Sequence, residues 1–256
     1  SWKINLNLTH YKNKITYLPD EKKTTVMDGH GGYMNGSRYY GEDLPINTWY
    51  MKRFAGLSED GLSLWYYTDK ETNEEKTTTT YSTGDFYLCG DPNPDLYGGF
   101  GTSITFHGFD LSTQFSYLVG GLTYDYGYAG MMGNPTATSV GNRWHKDVLK
   151  AWSPENPSST IPRWHFNDLN TTGSSDRFLI DGSYLNLQNI QVGYTLPDSW
   201  TSHLKIKNLR LYFVCDNVYY WSKRKGLDPR RSISGVGTSG KIAPFRTYSG
   251  GISLQF

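Results

Sequence analysis

Gly235-Val-Gly-Thr-Ser-Gly240 has the GxGxxG spacing that lets a backbone turn approach a phosphate closely. A phosphate cradle also needs an apolar strand just before the glycines and a helix opening after them. Neither neighbour is present, so the segment reads as a flexible loop. Asp91, Asn93 and Asp95 place oxygen-bearing side chains at alternate positions, a set that can approach Ca²⁺. Pro92 and Pro94 fix that run as a turn, and no Glu follows at EF-hand spacing, so no metal is expected. His30, His107, His145, His165 and His203 are scattered, without an HExxH pattern or an acid partner at useful spacing. Asp and Glu concentrate in loops, and no pair stands out as the acid and base of glycoside cleavage. No catalytic residue, metal or cofactor is assigned.

What remains is a set of rings. Between positions 120 and 182, Tyr124, Tyr126, Tyr128, Trp144, Trp152 and Trp164 are interleaved with Gly, Asn and Asp. Flat rings stack on the apolar faces of sugars or on peptide side chains, and Tyr and Trp favour protein interfaces. These six are the candidate contacts for a ligand or a covering partner. The competing reading is that they pack on one another to order a long loop, or belong to an interfacial girdle.

Composition narrows what scaffold can present them. The 256 residues carry a net charge of +1, which argues for no nucleic acid and no anionic partner. Mean hydropathy is −0.59 and no run has the length of a membrane-spanning helix. Alternating strands remain allowed, because apolar and polar residues average to a polar score. The 21 Tyr and 28 Gly suit a β protein with tight turns. Cys89 and Cys215 lie in different segments and indicate neither a disulfide framework nor a metal site. Ser1 begins inside an apparent strand with no signal peptide before it, so the chain is expected to be a fragment or a processed piece.

The last stretch is the most informative element. Tyr248, Gly250, Ile252, Leu254 and Phe256 alternate with Thr247, Ser249, Gly251, Ser253 and Gln255. Such a strand suits a wall with one face in lipid and the other in an aqueous lumen. Seven more strands are expected: from Trp2 to about Tyr11, 45–54, 62–68, 99–106, 109–119, 183–196 and 209–221. The fourth and fifth form a hairpin about His107-Gly108. The sixth changes apolar phase between Leu187 and Ile190, which predicts a β-bulge at Gln188-Asn189. A helix is expected over Arg143–Trp152. The links alternate long and short, the habit of an up-and-down barrel. Eight strands with two free edges do not suit lipid, so partner strands are expected on further chain.

Asp91-Pro-Asn-Pro-Asp-Leu-Tyr-Gly-Gly-Phe-Gly101 followed by Gly108-Phe-Asp-Leu-Ser112 resembles a hairpin of the SusC/RagA family of TonB-linked outer-membrane transporters. Asn7–Ile15, Phe54-Ala-Gly56, Gly182–Ile190 with Gly193-Tyr-Thr-Leu-Pro197, Asp216-Asn217 with Gly226-Leu-Asp-Pro229, and the closing strand agree in the same order. The resemblance implies an all-β antiparallel transmembrane barrel of 22 strands, of which residues 1–256 are the last eight. It implies that the plug and earlier strands lie outside this chain. It further implies a SusD-like surface lipoprotein as lid, TonB as the energy source through the absent N-terminal region, and import of oligosaccharides or oligopeptides. Tyr248, Gly251, Leu254 and Phe256 match the closure and assembly signal of outer-membrane barrels. Two other readings of the rings are a soluble β-rich carbohydrate-binding module and a β-rich glycoside hydrolase.

Overall fold

A computed structural model describes residues 1–136, 143–168, 170, 173–201, 206–224, 226, 228–231, 234–235 and 244–256. Strand β1 (Trp2–Thr9) leads into a long link that carries β2 (Thr25–Met27), β3 (His30–Asn35), β4 (Arg38–Gly41), β5 (Thr48–Lys52), β6 (Phe54–Leu57), β7 (Ser63–Thr68), β8 (Glu75–Thr78) and β9 (Phe86–Leu88). The hairpin β10 (Leu96–Phe106) and β11 (Phe109–Val119) follows. The next link carries β12 (Leu122–Tyr124), helix α1 (Tyr126–Met131) and β13 (Leu179–Asp181) before β14 (Tyr184–Thr195). A short link with helix α2 (Asp198–Thr201) reaches β15 (Asn208–Ser222), and β16 (Thr247–Gln255) comes last.

Six strands form one antiparallel sheet in the order β1-β10-β11-β14-β15-β16. Their registers connect across the sheet, with a shift on either side of β14 at Gln188. Ile4 faces Thr102, Thr102 faces Thr113, Thr113 faces Ile190, Ile190 faces Cys215 and Cys215 faces Tyr248. Because side chains alternate along each strand, that continuity puts every apolar set on one face. Trp2, Ile4, Leu6, Leu8, Ile104, Leu111, Val192, Phe213, Ile252 and Leu254 all lie there, and all are solvent-exposed. A face this continuous and this apolar matches hydrocarbon, not water. The strands run from 8 to 15 residues, bracketing the roughly 9–11 that cross a bilayer at a tilt. Phe100 and Phe115 stack across β10 and β11 at 4.6 Å, a pair worth about 0.5–1.5 kcal/mol beyond its buried area.

The links set direction. His107 and Gly108 both have positive φ, 46° and 83°, which closes a two-residue hairpin whose twist matches its strands. Residues 196–207 make the other short link, at the same rim. The links spanning 10–95, 120–183 and 223–246 leave from the opposite rim.

The sequence expectation of eight wall strands is corrected to six in this sheet. The segments expected at 45–54 and 62–68 instead join two smaller sheets, β2-β3-β4-β5-β9 and β6-β7-β8. Every residue of β5 is buried, so it has no face to offer lipid. The weak alternation of 45–54 reflects that burial on both sides. The bulge expected at Gln188 is present: Leu187 and Asn189 pair with Tyr219 and Asp216, and Gln188 has no partner in the register. The helix expected over Arg143–Trp152 is a 3₁₀ turn, Lys146–Lys150, started by the His145 ring accepting from Asp147 N–H. Asp125 caps α1, which the sequence did not suggest, by accepting from Tyr128 N–H.

The packed core lies outside the six-stranded wall, among the long links. Trp49, Met51, Tyr124, Met132 and Phe178 are its buried centre. The Trp49 indole N–H donates to the Leu122 carbonyl at 3.1 Å, which removes the cost of burying that donor. The long links therefore make one folded mass rather than separate loose loops.

Candidate functional site: the polar face and its strap

The face of the wall opposite the apolar one is lined by amides, hydroxyls and glycines. Asn5, Gly101, Gln114, Asn189 and Asp216 form one row across five strands, and Asn7, Gly99, Ser116 and Asn186 form the next. A Cβ on Gly101 would stand 2.2 Å from the Gln114 Oε1 and 2.5 Å from the Asn5 Oδ1, so glycine there makes room for the amides. The Asn7 Oδ1 accepts from Gly99 N–H at 2.8 Å, and Asn189 Nδ2 donates to Asp216 at 2.6 Å. Near the short-link rim, Arg210 grips Asp110 through Nε at 2.8 Å and Nη2 at 2.5 Å. Gly193 lies beneath that pair, where a Cβ would collide with both partners.

Toward the long-link rim the polar face is crossed by a strap from the last link. Arg230 holds it. Its Nε and Nη2 donate to the two oxygens of Asp228 at 2.8 and 2.7 Å. Its Nη1 donates to Asn186 on β14 at 2.6 Å and to Asn217 on β15 at 2.8 Å. The guanidinium also stacks over Tyr220, 4.5 Å from the ring centroid. Asn217 has φ of 52° at the bulge, and its Nδ2 donates to the Pro244 carbonyl at 2.7 Å. The strap then reaches the packed mass: Arg38 donates to the Ser234 carbonyl, and Tyr124 N–H donates to the Gly235 carbonyl at 2.8 Å. Arg38 stacks on Trp49 at 3.1 Å, and burial pulls its pKa down to about 10. Between strap, wall and the Pro92–Pro94 turn lies a cavity of about 500 Å³. Tyr11, Tyr97, Tyr184 and Gln188 line it with Arg230.

The rings expected to touch a ligand or lid are dispersed. Tyr124, 3% exposed, is a core residue and presents no face outward. Tyr126 packs on it at 4.4 Å and is partly exposed. Tyr128 lies under the Arg224 guanidinium at 3.7 Å, and its hydroxyl donates to Asp147 at 3.2 Å. Trp144 and Trp164 meet edge to face at 5.6 Å, and both indoles donate to the Gly133 carbonyl. Trp152 covers Gly61, where any Cβ would strike its ring. Of the closing-strand residues, Tyr248 and Leu254 lie on the apolar face and Phe256 follows the strand, exposed. Gly251 lies on the polar face, where the Tyr212 ring occupies the space of a Cβ. Residues 236–240 of the GxGxxG run and His203 fall outside the described residues. Arg230 was not singled out from sequence, although Asp216-Asn217 and Gly226–Pro229 of the family resemblance flank its contacts. Tyr184 and Asn186 lie in the Gly182–Ile190 stretch of that resemblance, where no site role was read from them.

The whole chain aligns with known receptors. It is 28% identical to TonB-dependent receptor P3 of Formosa agariphila, covering all of this chain and 27% of that protein. It is 27% identical to TonB-dependent receptor SusC of Bacteroides thetaiotaomicron, covering 100% of this chain and 24% of that protein. Along its whole length this chain is similar to TonB-dependent receptors of the SusC kind. It is an outer-membrane β-barrel protein, with the apolar face in lipid and the polar face on the lumen. The solved RagAB peptide transporter has the same fold over the full chain, with a TM-score of 0.79 at 23% identity and 27% of its own chain covered. No protein-family model matches. The segment spans about a quarter of the length of the curated relatives it matches.

Proposed function

We propose that this chain is the carboxy-terminal wall segment of a TonB-dependent importer of oligosaccharides or oligopeptides. The observation that carries the proposal is the six-stranded sheet itself, apolar on one face and amide-lined on the other, with every long link at one rim. Strands β1 and β16 are edges of that sheet, and an open edge in lipid leaves backbone groups unsatisfied at several kcal/mol each. Further strands therefore complete the barrel, to a total of 22 by family resemblance, around a plug carried on chain outside this segment. The long links face outward, where a SusD-like surface lipoprotein closes over them. TonB acts through the plug region to power release. Relatives bear the names of receptors and transporters, which supports a non-enzymatic role.

The test is uptake by cells lacking the whole receptor. Loss of labelled oligosaccharide or oligopeptide uptake, restored by the intact receptor and not in cells without TonB, is the expected result. Unchanged uptake of both classes in the receptor-null cells contradicts the proposal.

A further inference from the structure

We infer that the cavity beneath the strap is a binding subsite for one uncharged sugar ring. The inference rests on the importer reading and narrows its substrate to a neutral oligosaccharide. The cavity, about 500 Å³, falls within the roughly 300–1,000 Å³ of small-ligand sites. Its position on the lumen face follows from the wall register, because Tyr97, Leu118 and Tyr184 form one inward row.

Its walls are rings and prolines. Tyr11 and Tyr97 meet edge to face at 6.1 Å and 81°, which fixes an aromatic corner opposite Tyr184 and Arg230. Flat ring faces and proline edges match the C–H face of a pyranose. The ring's hydroxyl edge needs neutral donors and acceptors. Among the described residues, no hydrogen bond engages the Tyr97 or Tyr184 hydroxyl, and the Gln188 side chain is exposed at the bulge.

Charge decides the class. Arg230 is the one charged residue lining the cavity among those described. Four of its five N–H donors are committed to Asp228, Asn186 and Asn217. A carboxylate or sulfate ligand would have to displace Asp228 from a bidentate grip, and a peptide's ammonium terminus finds no carboxylate on the lining. A neutral sugar asks for neither.

Calorimetry on the purified full-length receptor in detergent tests this. The probes are unsubstituted gluco-, manno-, galacto- and xylo-oligosaccharides, uronate-containing oligosaccharides, and oligopeptides of similar length. At least one neutral series should bind, with Tyr97→Ala and Tyr184→Ala each weakening Kd by roughly tenfold. Tyr184→Phe should stay much closer to the parent, and the uronate series should not bind. Heat-modifiable migration reports whether each variant is folded; if an alanine variant is not, Tyr184→Leu, which keeps bulk without the ring, is read in its place. Oligopeptide binding without neutral-sugar binding overturns the inference, as do folded variants that bind like the parent. Loss of uptake in receptor-null cells would still stand in either case, so the importer reading is judged separately.

Discussion

Arg230 and Asn186 lie forty-four positions apart and are joined by a 2.6 Å hydrogen bond that fastens the last long link to the lumen wall. The same guanidinium holds Asp228, whose side chain is almost fully buried. Removing one partner strands the other charge away from water, a cost of about 3–5 kcal/mol. Arg230→Met should therefore open the 223–246 link to protease in the intact receptor while the barrel stays heat-modifiable. Arg230→Lys should rescue only in part, since an ammonium cannot reproduce the planar fork. The double change Arg230→Met with Asp228→Leu should cost less than Arg230→Met alone. Equal protease resistance in parent and Arg230→Met would remove the strap from the account.

Gln188 is an extra residue that the bulge absorbs against β11, so that both halves of β14 keep their apolar side toward lipid. Deleting Gln188 alone leaves plain alternation from Leu185 through Val192, whereas deleting Gln188 with Asn189 should turn either Leu185 and Leu187 or Ile190 and Val192 to the lumen. Folded barrel should be lost in the double deletion and kept in the single one and in Gln188→Ala, read as heat-modifiable migration from outer membranes.

Much of this was legible in the sequence. Strands that divide lipid from lumen must alternate, so β1, β10, β11, β14, β15 and β16 were visible as period-two patterns, bulge included. Segments 45–54 and 62–68 were misplaced in the wall because β5 is buried on both faces and a short apolar run does not say against what. The strand β8 was hidden in a charged run, Glu75–Thr78, that pairs along an exposed hairpin. The subsite was not legible at all. Its rings come from segments 11, 97 and 184, joined only by the register of three strands and by Arg230.

The two faces should respond oppositely to charge. Leu6→Arg or Ile190→Arg puts a cation in lipid, at about 2–4 kcal/mol near the bilayer centre, and should lower the yield of assembled barrel. Asn5→Arg or Gln191→Arg, one residue away on the lumen face, should assemble normally. Equal yields from the paired variants would contradict the facing.

Asp176 gives a pH signature in the packed mass of links. Burial is the main cause that raises its pKa above the usual 3.8, and its Oδ1 accepts from Phe54 N–H at 2.8 Å. A raised carboxyl pKa means that the folded state holds the proton more tightly than the unfolded chain. Its ionisation therefore costs stability as pH rises from the unfolded value through the folded one. Asp176→Asn keeps the acceptor and removes that cost, so its melting temperature at neutral pH should equal or exceed the parent's. Asp176→Ala orphans the Phe54 amide and should lose about 1–3 kcal/mol.

Residues two apart on one wall strand share a solvent, and neighbours do not. Single cysteines at Ile4, Asn5, Leu6 and Asn7, placed in the full receptor with Cys89→Ala and Cys215→Ala, test it in outer membranes. Bimane at positions 4 and 6 should be quenched by brominated lipid, and bimane at 5 and 7 by aqueous iodide. Quenching of all four by iodide alone would contradict a membrane wall.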